Sequence, residues 1–112
     1  MKIWTAAFRI PGKKIIEEIN KRYTDKISLG DLADECGLSI GHLSTLIKKE
    51  TGQSFSEYIT GKRMEDAKKL LCREELSIDE VADMVGYHDY FYFTKAFKKY
   101  VGMSPSMYRK SI

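Results

Sequence analysis

The residues of this chain best suited to chemistry are clustered lysines. Two Lys-Lys pairs lie fifty residues apart, and another lysine stands one helical turn before the second pair: Lys48, Lys49, Lys95, Lys98 and Lys99. Grouped ammonium ions favour a polyanionic partner such as nucleic acid. Residues 90–112 carry five basic side chains and no acidic one, although the net charge of the chain is only +3. A solvated helix face explains the same charges. The spacing of other residues must therefore decide between such a face and a polyanionic partner.

Nucleophiles and metal ligands are few. Cys36 lies six residues before His42, and Cys72 lies sixteen before His88, so a thiol–imidazole enzyme is one alternative. Both cysteines occupy positions expected of small buried residues, and no third residue orients a base. Two cysteines and two histidines fit no usual zinc spacing. We therefore predict no enzyme, no catalytic residue, no metal site and no cofactor.

Length and composition describe a small globular protein. The 112 residues are 43% hydrophobic and 31% charged, enough for one compact domain or two very small ones. Two cysteines are too few for a disulfide scaffold, which indicates a reducing cytoplasm. The apolar runs are only a few residues long, too short for a membrane span, so no membrane partner is predicted. Residues 1–12 end in a Pro-Gly turn and are predicted to be a tail or the remnant of a linker, with Trp4 and Phe8 able to pack back.

Helices must position the lysines. From Lys13 onward apolar residues recur at helical spacing, and Ser-x-x-Glu capping boxes begin at Ser54 and Ser77. Ser39 is a further N-cap, and Ser104 precedes a proline suited to a first helical turn. No segment alternates as a strand does. The predicted fold class is all-α with about seven helices, the longest near residues 55–72.

The chain also repeats itself. The first copy reads Ser28-Leu29-x-x-Leu32-Ala33-Asp34-x-x-Gly37, and the second reads Ser77-Ile78-x-x-Val81-Ala82-Asp83-x-x-Gly86. Beyond the glycine turn the second copy has one inserted residue, so it follows the first copy at an offset of 50 residues. This offset also aligns the two Lys-Lys pairs. A small alanine at the packing point and a glycine at the turn are typical of a helix-turn-helix. We predict helix-turn-helix units at about residues 28–52 and 77–101, within a domain spanning residues 13–112.

These motifs resemble those of the AraC/XylS-type transcription regulators. The match covers about residues 13–110 and is densest in three stretches: Arg63-Met64-x-x-Ala67-x-x-Leu70-Leu71, Ile78-x-x-Val81-Ala82-x-x-Val85-Gly86-Tyr87, and Tyr92-Phe93-Thr94-Lys95-x-Phe97-Lys98-Lys99-x-x-Gly102-x-Ser104-Pro105-x-x-Tyr108-Arg109. The resemblance implies two helix-turn-helix subdomains joined by a long helix. It also implies sequence-specific binding of double-stranded promoter DNA by two recognition helices in adjacent major grooves.

The resemblance places base contacts on both helices: Gly41, Ser44 and Thr45 on the first, and Tyr90, Phe91 and Lys95 on the second. The five lysines named above are the expected phosphate donors, supplemented by His42 and by the helix N-termini at Ser39 and Asp89. Gly41 has no side chain and its neighbours are short, so the second helix is expected to carry most base specificity. There Lys95 suits guanine, and Tyr90, Phe91 and Thr94 suit thymine methyl groups.

For several other residues a role in the fold is an explanation beside, or in place of, a contact with DNA. Phe93, Phe97 and Tyr100 share one stripe and are expected in the core, with Tyr87 as a core plug; Tyr90 and Phe91 either face DNA or cover the helix edge. Arg63 and Arg109 are expected to make hydrogen bonds or ion pairs within the fold rather than contacts with DNA.

The alternative function is a protein-interaction module of the same fold, whose acidic residues 74–83 meet a basic partner surface such as one on RNA polymerase. A missing N-terminal sensor or receiver domain is a further expected partner.

Overall fold

The computed structural model describes residues 11–112, and the predicted tail with Trp4 and Phe8 falls largely outside them. The described chain forms seven helices: α1 (Gly12–Arg22), α2 (Leu29–Cys36), α3 (Ile40–Thr51), α4 (Phe55–Leu71), α5 (Ile78–Met84), α6 (Tyr90–Val101) and α7 (Pro105–Ser111). No strand occurs within residues 11–112. The predicted all-α fold of about seven helices is confirmed.

The chain divides into two compact units, one ending at Ile59 and the other beginning at Thr60. Helix α4 contributes its first turn to the first unit and its remainder to the second. Each unit contains one helix-turn-helix, formed by α2 and α3 or by α5 and α6. The predicted pair of helix-turn-helix subdomains joined by a long helix is therefore confirmed.

The predicted caps begin these helices. The Ser54 amide donates to Glu57 Oε1 at 2.9 Å while the Glu57 amide donates to Ser54 Oγ at 3.1 Å. The same reciprocal pair joins Ser77 and Glu80 at 3.2 and 3.0 Å. Ser104 Oγ accepts from the Met107 amide at 3.2 Å. Each cap satisfies amides that have no partner in the first turn of a helix.

The first unit buries a small aliphatic core. Helices α1 and α2 both pack against α3. Completely buried aliphatic side chains from these helices form the centre: Ile15, Ile19, Leu32, Leu43 and Ile47. The smaller Ala33 and Cys36, together with Ile59 of α4, are buried beside them. Leu43 and Ile47 are one turn apart, so they fasten one face of α3 to the core. The opposite face of α3 is left for solvent or a ligand.

The second unit has an aromatic core around α6. Phe93 and Phe97 are completely buried, with ring centroids 5.8 Å apart, and Tyr108 meets Phe97 edge-on at 5.6 Å. Tyr87 packs 5.7 Å from Phe93, as predicted for a core plug. The prediction for Tyr100 is wrong, because this side chain is 47% exposed. It lies three residues beyond Phe97 and rests on the surface of α4, where its ring is 3.8 Å from the place that a β-carbon would take at Gly61.

The two tight turns are built alike. Gly37 and Gly86 have φ of 71° and 102°, a region that residues with a β-carbon rarely adopt. In each turn the next amide returns to the buried alanine: Leu38 N to Ala33 O at 3.0 Å, and Tyr87 N to Ala82 O at 2.9 Å. The inserted residue of the second copy therefore lies after the bond from Tyr87 to Ala82 and before Asp89, the N-cap of α6.

Two further residues complete the fold. Cys72 is exposed, contrary to the buried position expected for it, because α4 ends at Leu71 and the thiol donates only to the Lys68 carbonyl at 3.5 Å. Arg109 has the structural role that was predicted, since Nε and Nη2 donate to the carbonyls of Leu71 and Arg73 at 2.9 and 3.1 Å. None of the helices in residues 11–112 is long and apolar enough to span a membrane.

Candidate nucleic-acid interface

Helices α3 and α6 present their side chains in the same register. Residues 41–50 and 91–100 have the same order of buried, half-buried and exposed positions. Leu43 and Ile47 anchor α3 just as Phe93 and Phe97 anchor α6. The faces left uncovered therefore carry equivalent positions in both units, which is what two recognition helices require.

The clustered lysines lie on these uncovered faces. All five are exposed: Lys48, Lys49, Lys95, Lys98 and Lys99. No salt bridge joins any of them to a carboxylate among residues 11–112. Their charges therefore remain available to phosphate groups. Ser44, Thr45, Lys48 and Lys49 together line one open surface concavity.

The first turn of α3 offers few groups to a base edge. The Ser39 hydroxyl accepts from the His42 amide at 3.1 Å, so it acts as a helix cap. Gly41 is exposed, and open space surrounds the point where its β-carbon would lie. Thr45 Oγ1 donates to the Gly41 carbonyl at 3.0 Å, which occupies its single hydrogen-bond donor. Little hydrogen-bonding capacity remains on this stretch of the helix.

The first turn of α6 has a different cap. Asp89 Oδ1 accepts from the amides of Phe91 and Tyr92 at 2.8 and 3.2 Å. These are the amides on which the predicted phosphate contact at Asp89 depends, and a carboxylate beside them repels phosphate. The structure therefore argues against that contact. Ser39, a neutral cap that takes only one amide, leaves the N-terminus of α3 better suited to an anion.

Tyr90 and Phe91 do not cover the core. Phe91 is 81% exposed and Tyr90 is 42% exposed, and their rings meet edge-on with centroids 5.9 Å apart. Of the two explanations given for these residues, the structure removes the one in which Phe91 seals the edge of α6. The two rings form an apolar surface one turn before Lys95.

Ser44 and Thr94 are less accessible than a fully exposed stripe requires. Both are half-buried, at equivalent positions of α3 and α6. Thr94 Oγ1 is closed to solvent and has no hydrogen-bond partner within the described residues. Its hydroxyl cannot donate to a base in this rotamer. The contact with a thymine methyl group stays a prediction and would have to come from the threonine's own methyl group.

Two exposed residues of these first turns were missed. Ile40 is 56% exposed and Tyr92 is 69% exposed. The repeat contained the signal, because the offset of 50 pairs Ile40 with Tyr90 and Tyr92 with His42. His42 itself is exposed at the start of α3, where a phosphate contact was predicted.

The thiol and imidazole groups are not assembled for catalysis. Burial raises the pKa of the Cys36 thiol, with a smaller contribution from the Glu35 carboxylate, so this sulfur is a poor nucleophile. His88 Nδ1 lies 3.2 Å from Asp83 Oδ1, with both side chains largely exposed. No hydrogen bond joins Cys36 to His42, or Cys72 to His88, in the part of the chain that the structure describes.

Comparison with known proteins agrees with this geometry. A family model described as a helix-turn-helix domain matches residues 32–111, which include α3 and α6. The chain belongs to the AraC/XylS family of transcription regulators. In this family it corresponds to the DNA-binding domain.

Individual AraC/XylS relatives are similar over most of the chain. The raffinose operon transcriptional regulatory protein RafR of Pediococcus pentosaceus is 41% identical over 87% of this chain, and the Msm operon regulatory protein of Streptococcus mutans is 39% identical over 96%. This chain spans only 35% and 38% of their lengths. The crystal structure of the C-terminal domain of the two-component response regulator yesN from Fusobacterium nucleatum is 42% identical, with a TM-score of 0.81. That match covers 87% of this chain and 95% of the other.

Proposed function

We propose that this domain binds specific double-stranded promoter sequences by placing α3 and α6 in adjacent major grooves. The observation that carries the proposal is the shared register of the two helices, each with its apolar face in a core and its lysines exposed. A helix fits the major groove of B-DNA, and side chains on its outer face reach base edges and phosphates.

Phosphate contacts supply most of the affinity in this proposal. Five exposed lysines without a salt bridge in the described chain can each neutralise a phosphate. Release of about five counterions makes log K fall with log salt at a slope of roughly −4 to −5. The same charges guide the protein to DNA irrespective of sequence.

The first helix positions the domain more than it reads bases. Gly41 presents no side chain, Ser44 is half-buried, and the Thr45 hydroxyl donates to its own helix. His42, Lys48 and Lys49 remain exposed on the same helix and suit phosphate oxygens. We therefore assign to α3 the part of a clamp on the DNA backbone.

The second helix carries most of the base specificity. Lys95 is exposed and lies one turn beyond the Tyr90–Phe91 surface, where an ammonium group can donate to guanine O6 and N7. Lys98 and Lys99 follow it and suit phosphates. One good base contact contributes roughly 1–3 kcal/mol of discrimination.

Regulation requires partners beyond DNA. We propose that the domain acts in the cytoplasm, contacts RNA polymerase and receives its signal from a sensor or receiver domain. The support is that the matched relatives are much longer than this chain, and that one solved relative is the C-terminal domain of a two-component response regulator.

Binding to random-sequence duplexes at several salt concentrations, with sequencing of the bound pool, tests the proposal. A steep salt dependence and an enriched motif are expected, with the stronger preferences in the groove read by α6. Lys95→Ala should relax the preference at one position, whereas Lys110→Ala, which removes an exposed lysine from α7, should not. If nothing binds at about 50 mM salt, where phosphate contacts are strong, the domain is either a protein-interaction module or one that needs its sensor or receiver domain to bind DNA.

A further inference from the structure

The first turn of α6 exposes aromatic rings where the first turn of α3 exposes none. Phe91, Tyr92 and Tyr90 are 81%, 69% and 42% exposed. The equivalent residues 40–42 of α3 are an isoleucine, a glycine and a histidine. Phe91 is the most exposed large hydrophobic side chain among the described residues. Exposure of this apolar surface is unfavourable in water, and a ligand that covers it gains free energy.

The two leading rings form one surface. The edge-on contact of Tyr90 and Phe91, with centroids 5.9 Å apart and planes at 71°, is a favourable aromatic geometry that restrains both rings. The phenyl ring of Phe91 has no hydrogen-bond donor or acceptor. It can therefore recognise only shape and apolar character.

Three polar groups at this end of α6 are not available to DNA. The Asp89 carboxylate already accepts from the Phe91 and Tyr92 amides, so they are not available to a phosphate. Thr94 Oγ1 is closed to solvent and cannot donate to a base. Lys95, one turn further along, supplies the positive charge that holds this surface near DNA.

We propose that Phe91, supported by Tyr90, recognises the C5-methyl group of a pyrimidine in the major groove, so that thymine and 5-methylcytosine are accepted alike at that position. This inference rests on the proposed DNA binding and specifies the ligand of α6. The thymine methyl is the apolar group that unmodified base pairs display in the major groove. A methylated cytosine displays a methyl on the same ring carbon, and a phenyl ring does not distinguish the neighbouring O4 from N4.

The expected effect of one methyl group is small and measurable. Burying one methyl-sized group is worth roughly a fourfold change in affinity. Replacing the critical thymine with deoxyuridine removes only this group and keeps the base pair intact. Replacing a cytosine at the same position with 5-methylcytosine adds the group and changes nothing else.

The experiment uses duplexes carrying the selected motif, with deoxyuridine placed at one thymine position at a time, and a second series with cytosine or 5-methylcytosine at the critical position. The proteins are the wild type, Phe91→Ala and Met107→Ala. Met107 is a matched control because it is 58% exposed and lies on α7, outside both recognition helices. Circular dichroism checks that each variant keeps its helices.

For the wild type and Met107→Ala, deoxyuridine at one position should weaken binding roughly fourfold, and 5-methylcytosine should strengthen it by a similar factor over cytosine. Phe91→Ala should still bind DNA with the same salt slope but respond to neither change. If the wild type binds its motif and is indifferent to every deoxyuridine, or if Phe91→Ala keeps the full response, this inference is wrong while the DNA-binding function stands. If the wild type binds no duplex, both are wrong.

Discussion

At position 41 the first recognition helix has no side chain, and the space that a β-carbon would occupy is open. We predict that Gly41→Arg adds a preference for guanine within the selected motif, because a guanidinium there can donate to O6 and N7. The new contact should discriminate by about 1–3 kcal/mol. Sequencing of the pools bound by the variant and by the wild type measures this directly. The wild-type pool gives the base preferences of the domain without the added guanidinium.

Gly41→Ala is the control for helix propensity. Alanine in place of a helical glycine should raise the free energy of unfolding by about 0.5–1 kcal/mol and leave the motif unchanged. If Gly41→Arg and Gly41→Ala select the same motif, position 41 does not face the bases, and the assignment of α3 to the groove has to be abandoned.

Sequence reasoning succeeded at residues whose environment is set by periodicity. Phe93 and Phe97 were placed in the core because apolar residues one turn apart must share a helix face. It failed where an element ends or where a rotamer decides. Cys72 is exposed because α4 stops beside it, and Tyr100 is 47% exposed because its ring lies on the surface of α4 at Gly61. Periodicity assigns a residue to a helix face and does not predict how much structure covers it there.

Among elements, the start of α4 has a titratable cap. Hydrogen bonds from the backbone and then the side chain of Ser54 hold the pKa of the Glu57 carboxyl below its ordinary value, with a smaller contribution from Lys48. A pKa lowered by folding stabilises the folded state above the unfolded-state pKa, about 4.3 for glutamate. That stabilisation is lost as the pH falls through the lower, folded-state pKa.

We therefore predict that Glu57→Gln flattens the acid side of the stability profile. Glutamine retains an oxygen that can accept from the Ser54 amide but does not titrate in this range. Urea unfolding between about pH 3 and pH 7 gives the profile. The control is Ser54→Ala, which should lower stability by about 1 kcal/mol at neutral pH by removing the other half of the box. Equal profiles for wild type and Glu57→Gln would show that the cap makes no pH-dependent contribution.

The end of α4 depends on a residue far along the chain. Arg109 donates to the carbonyls of Leu71 and Arg73 beside the end of α4. The Arg73 carbonyl also accepts from the Leu76 amide at 3.2 Å, whereas Leu71 belongs to the last turn of the helix, whose carbonyls lack an amide of a following turn. We predict that Arg109→Ala lowers the free energy of unfolding by about 1–3 kcal/mol, because hydrogen bonds from a charged donor at a helix C-terminus are lost. Urea denaturation measures the change.

Arg109→Lys separates geometry from charge. Lysine keeps the charge but cannot donate from two fixed nitrogens, so most of the stability should still be lost. At a temperature where all three proteins are folded, their salt slopes for DNA binding should be equal. A slope reduced by about one in Arg109→Ala would instead place this guanidinium on a phosphate.

For the whole molecule, the repeat joins two copies of one scaffold that carry different surfaces. The cores, turns and lysines of the two units correspond, and the sequence alone predicted this correspondence. The sequence supports only part of the proposed assignment of base reading to α6 and backbone contacts to α3. The assignment also depends on the Thr45 hydroxyl, the Asp89 carboxylate and the closed Thr94 hydroxyl, whose hydrogen bonds and rotamers no sequence pattern specifies.

This correspondence leads to a prediction about charge. Removing both lysines of either pair, as Lys48→Ala with Lys49→Ala or as Lys98→Ala with Lys99→Ala, should make the salt slope less negative by about two. Because phosphates carry no sequence information, the motif selected by either double variant should stay unchanged while affinity falls for every sequence. Titrations at several salt concentrations give the slopes.

The matched control removes the same charge elsewhere. Lys26 and Lys110 are exposed and lie on neither recognition helix, so replacing both with alanine alters the net charge equally. If the effect of the pairs is local, this control should keep the full slope of roughly −4 to −5. If all three double variants lose the same slope, the lysines act through net charge alone. A loss confined to one pair would mean that a single unit holds the DNA backbone, and the two copies, although built alike, would not share the work of binding.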